Sequence, residues 1–437
     1  MCYLIGTFFP NKNDKEFQDF MKKYFLYLCV CAAVFLTGGC CCPQKQAPVS
    51  ITPPGLKMVL PEVIYAVPGI ESNIYFENIV DSATIKAYAV EVKCAKGTHG
   101  NHRWFWTPTA KDAGKTYDLE VRLFNDYGKV ASAKAKVVVA KEPADRKQKF
   151  TLALLAASGV NCGYPAHLLK VMRENGFVNY TPIGKHSGGG RPPVPGGLAH
   201  DGYGGFSWGC FLERWLYTAE ELPQAQNEAE REQMRLLGVV NRPKSQAYRL
   251  RSPLLKIVNG KKVLDIPGWL KQINQGKAPD YIVIQLGGND MFSAMANTRE
   301  KRLQLALKNA RTLLAALRKH APKAIIGVAT NPCGCDQDGF GANYGSFQSK
   351  YQYRRNIQSY NRALTAFVKE LKDPGIRLIP LHQSIDPDGS YMKGNYFVHA
   401  RSKKKVLRDR NALHPGQAGG AQLGDAIYCW LRKQLEK

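Results

Sequence analysis

The chain has 437 residues, which is more than one ordinary domain needs and enough for two. Its hydrophobic and charged fractions, 44% and 22%, are those of a globular protein and exclude a disordered one. The 61 Lys and Arg against 35 Asp and Glu give a formal charge of +26, which favours polyanionic neighbours such as nucleic acid, anionic lipid or acidic glycan.

A segment near the N-terminus is typical of export signals. Met21 is followed by two lysines, an apolar run from Tyr24 to Leu36, and small residues that end at Cys40. This order is that of a secretory signal, and the apolar run is shorter than a membrane-spanning helix needs. The stretch LTGGC also resembles the bacterial lipoprotein signal, in which the cysteine is lipidated, although Leu36 stands four residues before Cys40 and the usual distance is three.

This reading predicts the organisation of the N-terminal part. We expect residues 1–20 to be an over-called start, residues 21–39 a lipoprotein signal peptide and residues 40–55 a Pro-rich tether. Lipidation at Cys40 implies the bacterial cell envelope, in the periplasm or at the outer membrane or surface, with plain secretion as the alternative. An exported protein does not meet nucleic acid, so the positive charge favours an anionic envelope or an acidic polysaccharide.

Short segments in the range 56–141 predict an all-β domain. From EVIYAV to KVASAKAKVVVA they are rich in β-branched or aromatic residues, and several alternate with period two. The pattern has the size of an immunoglobulin-like sandwich, and DAGKTY loosely resembles the Asp-x-Gly-x-Tyr corner of such domains. Trp104 and Trp106 occupy alternating positions of one strand, which favours packing on one face over a sugar-stacking strip.

A charged linker at 142–150 separates this region from a predicted α/β domain at 151–437. The apolar runs TLALLAA, YIVIQL, KAIIGVAT and IRLIPL alternate with segments of helical periodicity. Such alternation predicts a parallel sheet covered by helices on both faces. Catalytic groups then belong at the carboxyl ends of the strands.

Four segments with chemically useful residues stand where that fold would place a site. Ser158 directly follows the first strand, and Gly205 lies in the glycine-rich stretch DGYGGFSWG. Asn289 belongs to GGND, directly after YIVIQL, and His414 belongs to NALHPG, before the last helix. In this order the four residues resemble the blocks of an SGNH-type (GDSL-like) hydrolase. The stretch HDGYGGFSW also resembles the second block of exported, carbohydrate-active members.

The resemblance implies a flavodoxin-like three-layer α/β/α fold and a mechanism of acyl transfer. Ser158 would be the nucleophile and His414 the base, while Gly205 and Asn289 would stabilise the oxyanion. Two departures from the family pattern are visible. Alanines precede Ser158 where the family has Gly-Asp, and Asn411 stands where the family has an acid. An asparagine oxygen can accept from the imidazole Nδ1–H and hold its tautomer, but it cannot neutralise an imidazolium.

We therefore expect a serine esterase that removes acetyl or similar acyl groups from a carbohydrate, with an acidic polysaccharide among the candidates and no cofactor. One alternative is a catalytically degenerate, glycan-binding lipoprotein. Another is an α/β-hydrolase that uses Ser207 in GFSWG with Asp386 and His414, although the buried strand that such an elbow needs is missing. The basic run at 401–410 reads either as a solvated charge run or as a rim that guides anions toward His414.

Overall fold

The computed structural model of the chain describes residues 56–81, 85–187, 191–215, 227–229, 251–337, 340 and 349–436. The predicted start, signal peptide and tether, with Cys40, lie outside the described residues. Pro53–Lys437 is one compact unit. Of the helices in the described ranges, none is long and apolar enough to cross a membrane.

The described residues before position 140 form two sheets. Their strands are β1 (Val63–Ala66), β2 (Ser72–Tyr75), β3 (Ala89–Cys94), β4 (Thr98–His99), β5 (Arg103–Trp106), β6 (Thr116–Asn125) and β7 (Gly128–Val139). One sheet has the order β1-β7-β6-β3 and the other the order β2-β5-β4. Neighbouring strands are antiparallel except for β1 and β7, which run parallel.

The two sheets share an apolar core because every second residue of the longer strands faces inward. Trp104 is 1% exposed in this core, so the expectation that it packs rather than binds sugar is confirmed. The segment FENI differs from the sequence prediction: it forms a short helix, α1 (Phe76–Ile79), instead of continuing a strand. Its tertiary setting overrides the strand pattern, since the Asn78 amide donates to the Ile385 carbonyl at 2.7 Å. The immunoglobulin topology stays a prediction.

The second part of the chain contains a parallel sheet and two separate hairpins. The strands are β8 (Phe150–Ala156), β9 (Tyr180–Ile183), β10 (Asp201–Gly202), β11 (Leu255–Val258), β12 (Lys261–Leu264), β13 (Tyr281–Gln285), β14 (Ile325–Ala329), β15 (Ile376–Ile379), β16 (Lys393–Phe397) and β17 (Lys405–Asp409). The sheet has the order β10-β8-β13-β14-β15, and β9 also pairs with β8. The pairs β11–β12 and β16–β17 are antiparallel hairpins.

The order of the parallel strands determines where a ligand can bind. The chain places β9 and β10 on one side of β8 and β13 on the other, which is the 2-1-3-4-5 order of flavodoxin-like folds. The direction of winding therefore reverses between β8 and β13. Ligands of open α/β sheets bind at such a switch point, outside the carboxyl ends of the strands.

Helices cover both faces of this sheet. They are α2 (Tyr164–Glu174), α3 (Trp208–Glu213), α4 (Ile266–Asn274), α5 (Gly288–Met291), α6 (Arg299–His320), α7 (Lys350–Glu370) and α8 (Gln417–Gln434). Helices α2 and α8 pack on each other, while α3, α4, α5 and α7 all contact α6. The expected three-layer α/β/α domain is thus present, preceded by an all-β region.

Buried polar contacts join the two parts. The imidazole Nε2 of His382 donates to the Val59 carbonyl at 2.7 Å, and the Gln358 amide donates to the Val80 carbonyl at 2.8 Å. Both side chains are fully buried. Strand β7 ends at Val139 and β8 begins at Phe150; the domain bounds 56–141, 142–150 and 151–437 stay predictions.

Candidate active site

Ser158 and His414 form a hydrogen-bonded pair at the switch point. Ser158 stands two residues after the end of β8 and opens a 3-10 turn, Ser158–Cys162, while His414 lies in the loop before α8. The Ser158 Oγ and His414 Nε2 atoms are 2.8 Å apart. This is the separation that a hydroxyl nucleophile and its general base require.

The environment of His414 keeps its imidazole neutral near pH 7. The side chain is half-buried, and this burial lowers the pKa of His414 below its usual value of 6.5. No carboxylate in the described part of the chain contributes to the shift. A neutral imidazole with an unprotonated Nε2 can accept the proton of Ser158.

Asn411 forms hydrogen bonds with the backbone of its own turn. Its Oδ1 accepts the backbone N–H of Leu413 at 3.0 Å and that of His414 at 2.9 Å. A carbonyl oxygen has two lone pairs, and both are used in this turn. Asn411 thus shapes the loop that presents His414. Asp409, close in sequence, pairs with Lys393 at 2.5 Å.

The GGND block is tied to the glycine-rich block. Asn289 stands at the start of α5, and its side-chain amide donates to the Phe206 carbonyl at 2.8 Å. Gly205, which precedes Phe206, is exposed and adopts a φ of +72°, a backbone conformation that favours glycine. The structure brings Ser158, Asn289 and His414 to one cavity and places Gly205 next to the carbonyl that Asn289 contacts.

Two cavities meet at Ser158 and His414, which line both. The smaller has a volume of about 110 Å³, and the wider, more open one about 580 Å³. The smaller cavity is lined by Ala157, Gly159, Gln285, Gly288, Asn289, Phe292, Asn331, Pro332, Tyr353, Leu413, Pro415 and Leu423. The wider one is lined by Asn161, Cys162, Gly163, Met392, Asn411, Pro415, Gly416 and Gln417.

Two polar residues of the smaller cavity were missed by sequence reasoning. Gln285 is 5% exposed, its side chain lies against Gly159, and its Oε1 has no partner among the described residues. Asn331 is held by Asn361 through bonds of 2.9 and 2.8 Å. Their position in the sequence could have indicated them. Gln285 and Asn331 are polar residues at or just after the end of an apolar strand segment, where this fold places its site.

Ser207 caps a helix in the structure. Its Oγ accepts the backbone N–H of Cys210 at 3.2 Å at the start of α3. The turn before it is not a buried strand, so the elbow geometry of α/β-hydrolases is absent from this described segment. Asp290 also supports α3, because it accepts the Trp208 backbone N–H at 3.2 Å. Burial raises the pKa of Asp290 to about 6.

Within the described residues, no group of three or more His, Cys, Asp or Glu side chains could hold a metal ion. The six cysteines of these ranges are all unpaired, namely Cys94, Cys162, Cys210, Cys333, Cys335 and Cys429.

A comparison with protein families matches one part of the chain. Residues 240–422 match the GDSL-like lipase/acylhydrolase family. The matched range contains Asn289, Asn411 and His414, and it begins after Ser158 and Gly205. No curated protein matches the sequence.

Solved structures with detectable likeness include several carbohydrate esterases. A family 3 carbohydrate esterase from Talaromyces cellulolyticus is 13% identical with a TM-score of 0.37, over 65% of this chain and 98% of that one. A family 3 carbohydrate esterase from Clostridium thermocellum is 13% identical with a TM-score of 0.35, over 66% and 100%. A family two carbohydrate esterase from the same organism, in complex with cellohexaose, is 11% identical with a TM-score of 0.33, over 85% and 94%. At these scores the domain is identified by the family match and not by the structural likeness.

Proposed function

Because the chain carries a domain of the GDSL-like lipase/acylhydrolase family, we propose that it is a serine esterase that removes acetyl or similarly small acyl groups from a carbohydrate. One observation carries the proposal: the 2.8 Å contact between Ser158 Oγ and His414 Nε2 at the switch point of the sheet. Asn289 lines the same cavity. Nucleophile, base and an oxyanion donor are therefore available together.

The reaction follows from this geometry. As His414 Nε2 takes the hydroxyl proton, Ser158 Oγ attacks the ester carbonyl carbon, and a tetrahedral oxyanion forms. The backbone N–H of Ser158 and the second N–H of the Asn289 amide can stabilise that charge. A part for the backbone N–H of Gly205, which lines neither cavity, rests on the resemblance to the family. The protonated His414 then gives its proton to the leaving alcohol. Water, activated by the same imidazole, releases the acid and restores Ser158.

The two cavities support a small acyl group on a large alcohol. An ester held at Ser158 must direct its acyl group to one side and its alcohol to the other. The cavity of about 110 Å³, bounded by Phe292 and Leu423, suits a small acyl group. The open cavity of about 580 Å³ on the other side suits a bulky alcohol such as a sugar unit of a longer chain.

Hydrolysis of an activated acetyl ester tests the proposal. Ser158→Ala and His414→Ala should each lower kcat at least about 10³-fold, because each removes one member of the pair. Ser207→Ala should keep activity, because Ser207 only caps α3. Unchanged activity of Ser158→Ala would overturn the assignment. An inactive wild-type protein that binds oligosaccharides would favour the degenerate glycan-binding alternative.

We also propose that the protein is exported and lipid-anchored through Cys40. The support is the sequence pattern from Met21 to Cys40. Labelling with a radioactive fatty acid should mark the wild-type protein and not Cys40→Ser. Label retained by Cys40→Ser would contradict anchoring at this residue.

A further inference from the structure

We propose that the hairpin β16–β17 docks a carboxylate-bearing polysaccharide beside Ser158 and His414. We call Lys393–Arg410 the basic hairpin. The proposal deepens the proposed function and rests on it for the identity of the substrate. Binding itself can be measured without catalysis.

The base of the basic hairpin is fixed to the catalytic loop. Just before it, Tyr391 is buried and forms a β-bridge with Pro415, the residue after His414. Across the hairpin base, the Arg410 backbone N–H donates to the Met392 carbonyl at 2.7 Å. Met392 and Asn411, which flank the hairpin, both line the wider cavity together with Ser158. A polymer that leaves this cavity on that side therefore meets the hairpin first.

The basic hairpin is strongly positive. It contains a single Asp, which pairs with Lys393. Against this acid stand seven basic residues, namely Lys393, Arg401, Lys403, Lys404, Lys405, Arg408 and Arg410. All seven are exposed. Such a concentration of one sign next to a cavity attracts polyanions and raises their local concentration. A guanidinium also matches the geometry of a carboxylate with two parallel hydrogen bonds.

One face of the hairpin combines an aromatic ring with an arginine. A Cβ placed on Gly394 would lie 3.1 Å from the Tyr396 ring and 3.4 Å from Cδ of Arg410, so both side chains flank this glycine. Tyr396 is 37% exposed. Its ring can cover the apolar C–H face of a sugar, while Arg410 meets a carboxylate on the same residue or the next. On the opposite face Phe397 is 57% exposed, and the Lys405 Nζ lies 5.0 Å from the centre of its ring.

The tip of the hairpin argues against a membrane as the occupant. Interfacial binding buries a continuous apolar surface in the lipid. The hairpin also exposes Phe397, Val398 and Leu407, at 57%, 51% and 69%. In the sequence, the tip residues Arg401, Lys403 and Lys404 separate Val398 from Leu407, and the vesicle measurement below decides whether these side chains enter lipid. The aromatic and cationic face instead continues from the cavity that holds Ser158. A glycan chain fits this arrangement, because it can place an acylated sugar at Ser158 and its neighbours on the hairpin.

The test measures binding with the full chain made inactive by Ser158→Ala. Polygalacturonate is titrated by calorimetry, beside its carboxyl-reduced, neutral form. We expect binding of the acidic polymer that weakens with salt, and much weaker binding of the neutral form. Adding Tyr396→Ala and Arg410→Gln should weaken binding at least about tenfold, because the stacking ring and one cation are lost.

A control of the same charge change removes a tyrosine and a cationic side chain elsewhere. Tyr127→Ala with Lys319→Gln acts on an exposed turn and an exposed helix position, and it should leave binding unchanged. Equal losses in both double variants, no loss in either, or equal binding of the neutral polymer would overturn the proposal. So would binding to phosphatidylglycerol vesicles without binding to polygalacturonate. If the wild type fails to cleave an activated acetyl ester while polymer binding follows the expected pattern, the esterase proposal fails and the docking surface stands.

Discussion

Asn411, in the loop before His414, affects how the imidazole of the Ser158–His414 pair is positioned. Asn411 uses its Oδ1 on the backbone N–H groups of Leu413 and His414. Its other terminal atom is an NH₂ group, which cannot accept a proton from the imidazole. His414 is therefore kept neutral by burial and positioned by Ser158 and by its own loop.

Asn411→Asp should raise activity. One carboxylate oxygen keeps the two backbone bonds, and the other replaces the NH₂ group and can accept the Nδ1–H of His414. In a serine protease, the opposite change lowers kcat by about 10⁴; here we expect kcat to rise at least about tenfold. The negative charge also raises the pKa of His414. Because the base acts when neutral, the acid limb of kcat/KM should move to higher pH, as a pH–rate profile would show.

The matched control is Asn411→Ala, which removes the turn bonds without adding a charge. It should lower kcat and destabilise the fold by about 1 kcal/mol, as the loss of a capping side chain does. An Asn411→Asp enzyme with the wild-type kcat and the wild-type acid limb would show that the ring is oriented by another group.

At this scale, sequence reasoning found the residues that stand in motifs. Ser158, Asn289 and His414 were predictable because each adjoins a strand or helix end and the three come in the family order. Gln285 and Asn331 were not, because a single polar residue at the end of a strand has no distinctive neighbours. The part played by Asn411 depends on which backbone groups its oxygen meets, and that is a matter of three-dimensional geometry.

At the scale of elements, the turn between β13 and α5 sets the position of Asn289. Gly287 adopts a φ of +108°, which side chains rarely tolerate. A Cβ at this position would also overlap the ring of Tyr360 on α7. The Tyr360 hydroxyl donates to the Leu286 carbonyl at 3.0 Å, so the ring cannot move away without losing that bond.

Gly287→Ala should therefore lower both stability and activity. We expect a loss of about 3 kcal/mol in the free energy of unfolding, from backbone strain and overpacking together. The kcat should fall at least about tenfold, because Asn289 is displaced from the oxyanion. Urea unfolding and ester hydrolysis measure the two effects.

Gly276→Ala separates the two causes. Gly276 also has a positive φ, but a Cβ there meets nothing within 4 Å. Gly276→Ala should lower the free energy of unfolding only by the backbone strain, about 1 kcal/mol, and it should leave kcat unchanged. If Gly287→Ala and Gly276→Ala lower stability equally, the Tyr360 ring must move to accommodate the new Cβ at position 287, and overpacking would contribute nothing.

Sequence patterns predicted the long elements and missed the short ones. The strands β8, β13, β14 and β15 and the helices α2, α6, α7 and α8 have strong periodicity or continuous apolar runs. The short strands β9 and β10 have neither and were missed. The hairpin β16–β17 was hidden, because a run of basic residues shows no alternation of apolar and polar positions. The helix α1 was hidden as well, because its aromatic and β-branched residues favour a strand and the contact of Asn78 with the α/β domain is not local.

At the scale of the whole molecule, His382 couples the two parts of the chain. Its Nε2 donates to the Val59 carbonyl, and its Nδ1 lies 2.9 Å from the Thr330 hydroxyl. Full burial lowers the pKa of His382 to about 4. Folding thus requires the neutral imidazole, whereas the unfolded chain binds a proton near pH 6.5.

Stability should consequently fall between pH 6.5 and 4. The unfolded state binds more protons in this window, so the His382 contribution is complete above pH 6.5 and is lost as the pH approaches 4. The expected loss is about 3 kcal/mol, at about 1.4 kcal/mol per pKa unit. His382→Gln should make this part of the profile of unfolding free energy against pH less steep, while buried His200, whose pKa is also lowered to about 4, keeps its share of the slope. Parallel profiles for the two proteins would contradict this account.

The polar contacts between the N-terminal β region and the α/β domain predict the effect of truncating the protein. Removing everything before Phe150 would take away the carbonyl oxygens that His382 and Gln358 use and would open an apolar surface to water. The excised esterase would then be expected to need solubilising substitutions at the uncovered surface. The sequence suggests that the N-terminal β region is a separable domain. In the folded chain, however, it covers part of the surface of the α/β domain.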